Sequence, residues 1–272
     1  MNYLRNIKNY LLVFQFSYQF IAKIYIIKNL FFCGKLIIIK RYKKFYLHFT
    51  KYGIIPYFHP LSNAEKYLRE NYKNFFLYYQ LKNRDLVVEF GSGIGTEALI
   101  ISKKIGKMGK IYCFEPNAKI FKLLELNKEK NKLYNSKLFK SAIYKKKASI
   151  GFDNREKNWI GGNIDIKGKN KIDSTTLNEF IKKEKIKKIN FCKINIEGAE
   201  KYIIYNSDKF FKICENIAIE CHDFINKPEF KTKRLIKNFL KKKGYKIFNP
   251  NKNKYINFYT KYYIYAKKIK NN

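Results

Sequence analysis

The pattern of apolar and polar positions changes at about residue 85 of the chain. From there, short apolar runs alternate with longer segments in which apolar residues recur every three or four positions. The short runs predict buried strands, and the longer segments predict helices. This alternation is typical of an α/β fold with a mostly parallel sheet and helices on both faces.

The pattern gives seven predicted strands, at Asp85–Phe90, Lys110–Glu115, Lys137–Tyr144, Ile189–Glu197, Asn216–His222, Tyr245–Phe248 and Tyr259–Ala266. Helices are predicted over residues 95–105, 118–129, 198–207 and 228–243. Residues 145–172 are irregular, with a short hairpin expected. Because ligands of such sheets bind beyond the carboxyl ends of the strands, candidate site residues are sought there.

Residues 1–75 have a different, strongly apolar and basic pattern. We expect a helical extension there, packed on a main domain that spans residues 76–272. Asn63 is the expected N-cap of the last helix of this extension. The longest stretch without charge, Asn9–Ala22, has 14 residues, whereas a membrane span needs about 20. A helix lying on an anionic membrane, assisted by the basic run Arg41–Lys44, is the alternative.

The net charge of +37 points to a polyanionic partner, but its make-up does not. The chain has 52 Lys and only 6 Arg, although Arg reads phosphates and bases better than Lys does. Lys, Asn, Ile, Tyr and Phe all have A/T-rich codons, so the charge is better explained by coding bias. A nucleic-acid partner is not expected.

The cysteines and histidines predict no metal site. The five Cys form no CxxC pair, and the three His are scattered along the chain. The Cys pattern argues against a disulfide framework and indicates a reducing, cytoplasmic location.

Two features on consecutive predicted strands point to a nucleoside ligand. Gly91, Gly93 and Gly95 follow the first strand, and Glu115 ends the second, 20 residues after Gly95. Glycines allow close approach to the main chain, and a strand-end carboxylate can accept hydrogen bonds from ribose hydroxyls. The dinucleotide pattern GxGxxG would need glycine where Thr96 stands, which disfavours a nicotinamide-dependent oxidoreductase.

With these features, the sequence resembles S-adenosylmethionine-dependent methyltransferases with a Rossmann-like fold. The segments Asp173–Asn178, Lys193–Glu200 and Ala218–His222 are similar to the FkbM branch, whose pattern is roughly "tLD" and "KiDvEGaE". The resemblance covers about residues 85–248. Asn178 and Asn195 stand where the family pattern has Asp, which leaves open a catalytically impaired protein.

The resemblance implies methyl transfer from S-adenosylmethionine to a hydroxyl oxygen of a small molecule or glycan. A cell-envelope sugar is the first guess, because the apolar, basic N-terminal segment can keep the enzyme near a lipid-linked substrate. Cofactor-binding residues carried over by position are Glu89, Gly91, Gly93, Gly95, Glu115, Ser141 and Ala142. Asn195 and Trp159 are candidates for contact with the acceptor.

Candidate catalytic bases are His222 and Glu197, which end the fifth and fourth predicted strands. An unperturbed His titrates near neutral pH, so His222 can accept the hydroxyl proton; a structural role is also open for each residue. An RNA ribose methyltransferase is a further alternative. An amino-methylating enzyme is disfavoured because the fourth strand is followed by NIEGAE instead of an Asn/Asp-Pro-Pro-aromatic motif.

Overall fold

The structure is a computed structural model that describes residues 17–33, 38–60, 63–153, 163–164, 168, 170–250, 254 and 256–269. Its α-helices are α1 (Ser17–Cys33), α2 (Ala64–Phe75), α3 (Thr96–Ile105), α4 (Ala118–Asn131), α5 (Leu177–Lys183), α6 (Asp208–Ile213) and α7 (Lys233–Lys242). Its strands are β1 (Ile38–Tyr42), β2 (Phe45–Thr50), β3 (Gly53–Tyr57), β4 (Leu86–Phe90), β5 (Lys110–Phe114), β6 (Ser136–Phe139), β7 (Ala142–Ile143), β8 (Ala148–Asp153), β9 (Asn163–Ile164), β10 (Asn170–Thr175), β11 (Ile189–Ile194), β12 (Cys214–Glu220), β13 (Tyr245–Phe248) and β14 (Tyr263–Lys268).

Seven strands form the central sheet in the order β13-β14-β12-β11-β4-β5-β6. All neighbours pair in parallel except β14, which is antiparallel to both β12 and β13. The order reverses between β4 and β11, since β5 and β6 extend from one side of β4 and β11 and β12 from the other. A crevice at the carboxyl ends of these strands is the expected ligand position. The predicted α/β fold is confirmed.

Helices cover both faces of this sheet, because its strands are apolar on both faces. On one face α5, α6 and α7 contribute Phe180, Phe210, Ile236 and Leu240 to an apolar core. On the other, α2, α3 and α4 contribute Phe75, Ile101 and Leu124.

Several predicted boundaries need correction. The predicted strand Lys137–Tyr144 is two strands, because β7 leaves the central sheet and pairs with β10 in a second sheet of order β7-β10-β8-β9. The predicted helix over 198–207 is a 3₁₀ helix, Ala199–Ile204, followed by the separate helix α6. Helix α7 begins at Lys233 instead of Pro228 because the Asp223 carboxylate accepts hydrogen bonds from the backbone N–H groups of Thr232 and Lys233.

The expectation of an exclusively helical extension is wrong for residues 38–57, which form the three-stranded antiparallel sheet β1-β2-β3. Tight turns at Lys43-Lys44 and Lys51-Tyr52 join its strands. Lys43 has a φ of 54° and Gly53 a φ of 140°. Aromatic and β-branched residues favour strands in this segment, but Lys43-Lys44 is not a recognisable hairpin turn in the sequence.

The three-stranded sheet packs on the outer side of α3 and α4. Phe45, Leu47 and Ile55 share one apolar core with Leu99 and Leu123. The Asn131 side chain also accepts a hydrogen bond from the N–H of Ile54 and donates one to its carbonyl. Among the described residues, no helix has the length and hydropathy needed to cross a membrane.

Candidate cofactor and catalytic site

The glycine loop, residues 91–95, connects β4 to α3 at the reversal of strand order. Gly91 has a φ of 75°, and a Cβ atom there would lie 1.7 Å from the carbonyl oxygen of Asn195. The N–H groups of Gly91 and Ser92 donate to the carbonyl of Phe114 at the end of β5. Position 91 therefore needs glycine both for its backbone conformation and for the contact with β11.

Gly93 and Gly95 have different surroundings. A Cβ on Gly95 would meet the Leu124 side chain at 2.6 Å, whereas one on Gly93 would find no atom within 4 Å. The Asn127 side chain donates to the carbonyls of Ile94 and Gly95 and so fixes the loop against α4. Gly93 is thus the point at which the loop opens to a ligand, as expected where a backbone must be approached closely.

Glu115 lies directly against this loop. Its carboxylate accepts hydrogen bonds from the N–H of Gly93 at 3.1 Å and of Asn117 at 2.8 Å. The residue is only 7% exposed. Burial raises the pKa of its carboxyl to about 7, despite the opposing effect of the two N–H donors. The predicted proximity of the glycine loop and Glu115 is present in the structure.

Glu89, which the resemblance places beside the methionine part of the cofactor, is a buried residue of β4. Its carboxylate is fully buried and forms an ion pair with Lys193 on the neighbouring strand, with Nζ and Oε1 3.1 Å apart. Lys193 also donates to the carbonyl of Gly91 at 2.8 Å and lies 3.7 Å from the carboxylate of Glu97. Its ammonium lies 4.9 Å from the ring centroid of Phe75.

Lys193 is a residue that sequence reasoning missed as part of the site. It links β4, the glycine loop and α3 through one buried charge. Its pKa is raised even though burial opposes the charged form, because the carboxylates of Glu89 and Glu97 stabilise it. The available signal was a lysine inside the otherwise apolar run INFCKI, since a buried lysine needs an acidic partner.

Ser141 and Ala142 follow β6, the strand next to β5. The Ser141 hydroxyl donates to the carbonyl of Asp173, and Ala142 is buried in β7. Both lie at the carboxyl side of β6, where the resemblance implies the adenine. Their role there stays a prediction, and Trp159 lies outside the described residues.

After β11, the segment Glu197–Glu200 forms a strained turn. Glu197 has a φ of 53°, an uncommon conformation for a residue with a side chain, and its side chain is 24% exposed. Gly198 has a φ of 89°, and a Cβ there would meet the Phe230 ring at 2.5 Å. Backbone strain of this kind is concentrated at functional sites.

The fully buried carboxylate of Glu200 holds this turn. It accepts hydrogen bonds from the N–H of Gly198 and the hydroxyl of Thr232. Its Oε1 also lies 2.9 Å from Nδ1 of His222. Glu200 therefore connects the turn after β11 with the end of β12 and the start of α7.

His222 lies between two carboxylates. Its Nε2 is 3.3 Å from Glu197 and its Nδ1 is 2.9 Å from Glu200. Burial lowers the pKa of the ring, but the two carboxylates outweigh burial and raise it well above 6.5. The two carboxylates therefore favour the protonated ring, whereas the sequence suggested a neutral base.

The strand-end carboxylates and His222 converge on one crevice. The charge of Glu197 is near enough to contribute to the raised pKa of Glu115. Glu220, at the end of β12, interacts with the charges of His222, Glu197 and Lys193, while burial raises its pKa. The structure thus brings together the ends of β5, β11 and β12, as the fold argument predicts.

Asn195 joins this crevice between the glycine loop and Glu197. Its N–H donates to the carbonyl of Phe90, and its Oδ1 is buried and has no hydrogen-bond partner among the described residues. A buried acceptor without a donor is costly, so this atom is a place where a bound molecule can donate. The described residues contain no group of three His, Cys, Asp or Glu side chains arranged to hold a metal ion.

A parallel sheet with this strand order, a glycine loop after its central strand and an acidic residue ending the next strand define the class of Rossmann-like methyltransferases. The family model described as the methyltransferase FkbM domain matches residues 88–247. The chain belongs to the FkbM methyltransferase family. A comparison with curated proteins finds no match.

One solved structure supports the fold, and a second is similar at a lower score. The methyltransferase FkbM from Methylobacillus flagellatus KT is similar with a TM-score of 0.50 and 14% identity, over 72% of this chain and 47% of that chain. This chain thus spans about half the length of that protein. An Aeropyrum pernix fibrillarin with natively bound S-adenosyl-L-methionine has 13% identity and a TM-score of 0.43, over 85% of this chain and 98% of that chain.

Proposed function

We propose that this protein transfers a methyl group from S-adenosylmethionine to a hydroxyl oxygen of a small molecule or glycan, with a cell-envelope sugar as the first candidate. The observation that carries the proposal is the Glu115 carboxylate, which lies against the open glycine Gly93 at the reversal of strand order. The family assignment supports methyl transfer. The hydroxyl acceptor rests on the resemblance stated above, and the envelope sugar rests on the apolar, basic N-terminal segment.

The residues at the crevice suit S-adenosylmethionine. Glu115 is placed to accept hydrogen bonds from the ribose hydroxyls, and the space beside Gly93 admits a ligand against the main chain. Asn195 offers a buried acceptor without a donor. The sulfonium of the cofactor is a strong methyl donor, so the protein mainly has to align the acceptor oxygen with it.

Glu197 is the candidate proton acceptor that the geometry favours. Its carboxylate is partly exposed, whereas the ring of His222 is buried and its pKa is raised by two carboxylates. In this arrangement Nε2 of His222 donates a hydrogen bond to Glu197, and Glu200 holds the ring at Nδ1.

Labelled S-adenosylmethionine offered with separate acceptor pools tests this function. The pools are an envelope glycan fraction, free sugars and polyketide-like alcohols, and bulk RNA. We expect label in an alkali-stable methyl ether of a glycan or small molecule. Transfer to RNA, or tight binding of S-adenosylhomocysteine without transfer to any pool, would overturn the proposal.

A Glu197→Gln variant tests the catalytic assignment separately. We expect its turnover to fall by about 10²–10⁴-fold, the usual contribution of a general base. Binding of S-adenosylhomocysteine should change little, because Glu115 and the glycine loop are intact. Turnover equal to that of the unaltered protein would remove Glu197 from the mechanism.

A further inference from the structure

Helix α1 carries an apolar stripe on the face opposite its contact with the protein. Phe20, Ile24, Ile27 and Phe31 are 67%, 49%, 54% and 76% exposed. Their spacing of four, three and four residues places them on one side of an α-helix. Ala22 lies on the other side and is only 8% exposed.

This stripe is a continuous surface of large apolar side chains, joined at its edge by Leu30, which is 45% exposed. Isolated exposed apolar residues are normal in proteins, but a contiguous patch marks an interaction surface. The helix has 17 residues, a length of about 25 Å at the usual rise per residue. None of the residues of the methyltransferase site belongs to it.

The sequence segment that carries the stripe contains basic residues and no acidic ones. The first acidic residue of the chain is Glu65, and residues 1–64 contain ten Lys and Arg. Lys23 is exposed and lies between Phe20 and Ile27 on the same face of the helix. Strand β1 packs against α1 and leads to the exposed turn residues Lys43 and Lys44.

The charge of the segment distinguishes between two binding partners for the stripe, a second copy of the chain and a lipid membrane. A second copy of the chain would bring two segments without any acidic residue against each other, in a protein of net charge +37. Like charges at an interface oppose association. An anionic lipid surface instead supplies both an apolar interior for the stripe and a charge opposite to that of the basic residues.

We propose that helix α1 inserts its apolar stripe into the surface of an anionic membrane, with Lys23, Lys43 and Lys44 against the headgroups. The helix then lies in the plane of the interface, and the three-stranded sheet on α3 and α4 connects it to the methyltransferase domain. This inference stands on α1 and its charges and is independent of the acceptor of the methyl group.

Vesicle flotation of the full chain tests the proposal. The probes are vesicles of phosphatidylcholine with about a quarter phosphatidylglycerol, and vesicles of phosphatidylcholine alone, a comparison that isolates the anionic headgroup. We expect binding to the anionic vesicles that weakens with salt, and little binding to the neutral ones. Equal binding to both kinds, or to neither, would overturn the proposal.

The double variant Phe20→Gln/Phe31→Gln tests the stripe itself, because glutamine keeps helix propensity while removing the apolar surface. We expect its partition onto anionic vesicles to fall by about tenfold or more. The matched control is Met108→Gln/Tyr134→Gln, whose side chains are 74% and 84% exposed elsewhere on the protein. The control should bind like the unaltered chain.

Two results would contradict the inference even if the chain binds vesicles. One is unchanged binding by Phe20→Gln/Phe31→Gln, which would mean that charge alone holds the protein. The other is a concentration-dependent dimer that this variant abolishes, which would assign the stripe to a second copy. Thermal unfolding of every variant, unchanged from the parent, verifies that exposed substitutions left the fold intact.

Discussion

We expect a single carboxylate, that of Glu115, to make cofactor binding depend on pH. Because burial raises its pKa to about 7, the carboxyl is largely protonated at pH 6 and largely ionised at pH 8. In the proposed role, the ionised form is the better acceptor for the two ribose hydroxyls, because protonation turns one oxygen into a donor. We therefore expect the Kd for S-adenosylhomocysteine to fall about tenfold from pH 6 to pH 8, measured by calorimetry.

Two variants separate this effect from general changes of charge. Glu115→Gln should bind more weakly and show little pH dependence between 6 and 8. Glu125→Gln alters an exposed carboxylate on the adjoining α4 and should retain the dependence of the parent. A flat profile for the unaltered protein would contradict the role given to Glu115.

His222 makes the stability of the fold depend on pH in a different range. Its pKa in the folded protein is raised well above 6.5, so it contributes stability fully below pH 6.5 and loses that contribution as pH rises through the raised pKa. We expect the free energy of unfolding in urea to decrease over this range. His222→Gln should cost about 3–5 kcal/mol near neutral pH, because Glu200 is left buried without its charged partner.

His48 provides the control for this experiment. It is also buried, but burial lowers its pKa to about 4, so it is neutral throughout the range in question. His48→Gln should leave the slope of stability against pH above 6.5 unaltered. If His222→Gln has the same slope as the parent, the imidazolium between two carboxylates is not present.

At the scale of elements, the glycine loop has a different requirement at each glycine. Gly91→Ala places a methyl group 1.7 Å from the Asn195 carbonyl, so we expect a loss of several degrees or more in the unfolding temperature. Gly93→Ala has open space, and its φ of 54° costs only about 1–2 kcal/mol. That variant should fold but bind S-adenosylhomocysteine about tenfold more weakly, because the methyl group enters the space of the ligand.

Differential scanning fluorimetry and calorimetry on both alanine variants distinguish these outcomes. Both variants replace a glycine with alanine, at positions two residues apart. A general effect of alanine in the loop would therefore affect both variants alike. Wild-type affinity in Gly93→Ala would show that the ligand does not approach the loop there.

The sequence predicted the strands and helices that build this site because their periodicity is local. β4, β5 and α3 lie within a residue of their predicted bounds. The departure of β7 into a second sheet, and the pairing of β1 with β2, depend on partners distant in the sequence and on turns without a recognisable motif. The pattern of apolar and polar residues alone predicts neither of these strand pairings.

The chemistry of the site was predictable only in part, for a similar reason. Spacing was sufficient to place Glu115 near the glycine loop, since adjacent parallel strands end at one edge. The raised pKa of His222 depends on Glu200, which is 22 residues away in the sequence and is brought to the ring only by the fold. The pairing of Lys193 with Glu89 likewise becomes visible only when β4 and β11 are neighbours.

At the scale of the whole molecule, the N-terminal sheet and the methyltransferase core share buried surface. Ile55 is fully buried in a cluster that also contains Leu99 and Leu123 of α3 and α4. The bonds between Asn131 and Ile54 fasten the same contact. The predicted boundary at residue 75 therefore does not separate two independent apolar cores.

This sharing predicts that the N-terminal sheet and the domain unfold together. Ile55→Ala removes apolar contacts common to both and should lower the free energy of unfolding by about 2–5 kcal/mol. Ile38→Ala alters a residue that is 42% exposed in the same sheet and should change it by less than about 1 kcal/mol. Calorimetry should show one transition, displaced as a whole by Ile55→Ala, because the cluster cannot open on one side alone. An early, separate transition that carries the entire effect of Ile55→Ala would instead mean that the N-terminal sheet unfolds separately from the domain. The proposed position of α1 at a membrane would then be independent of the methyltransferase site.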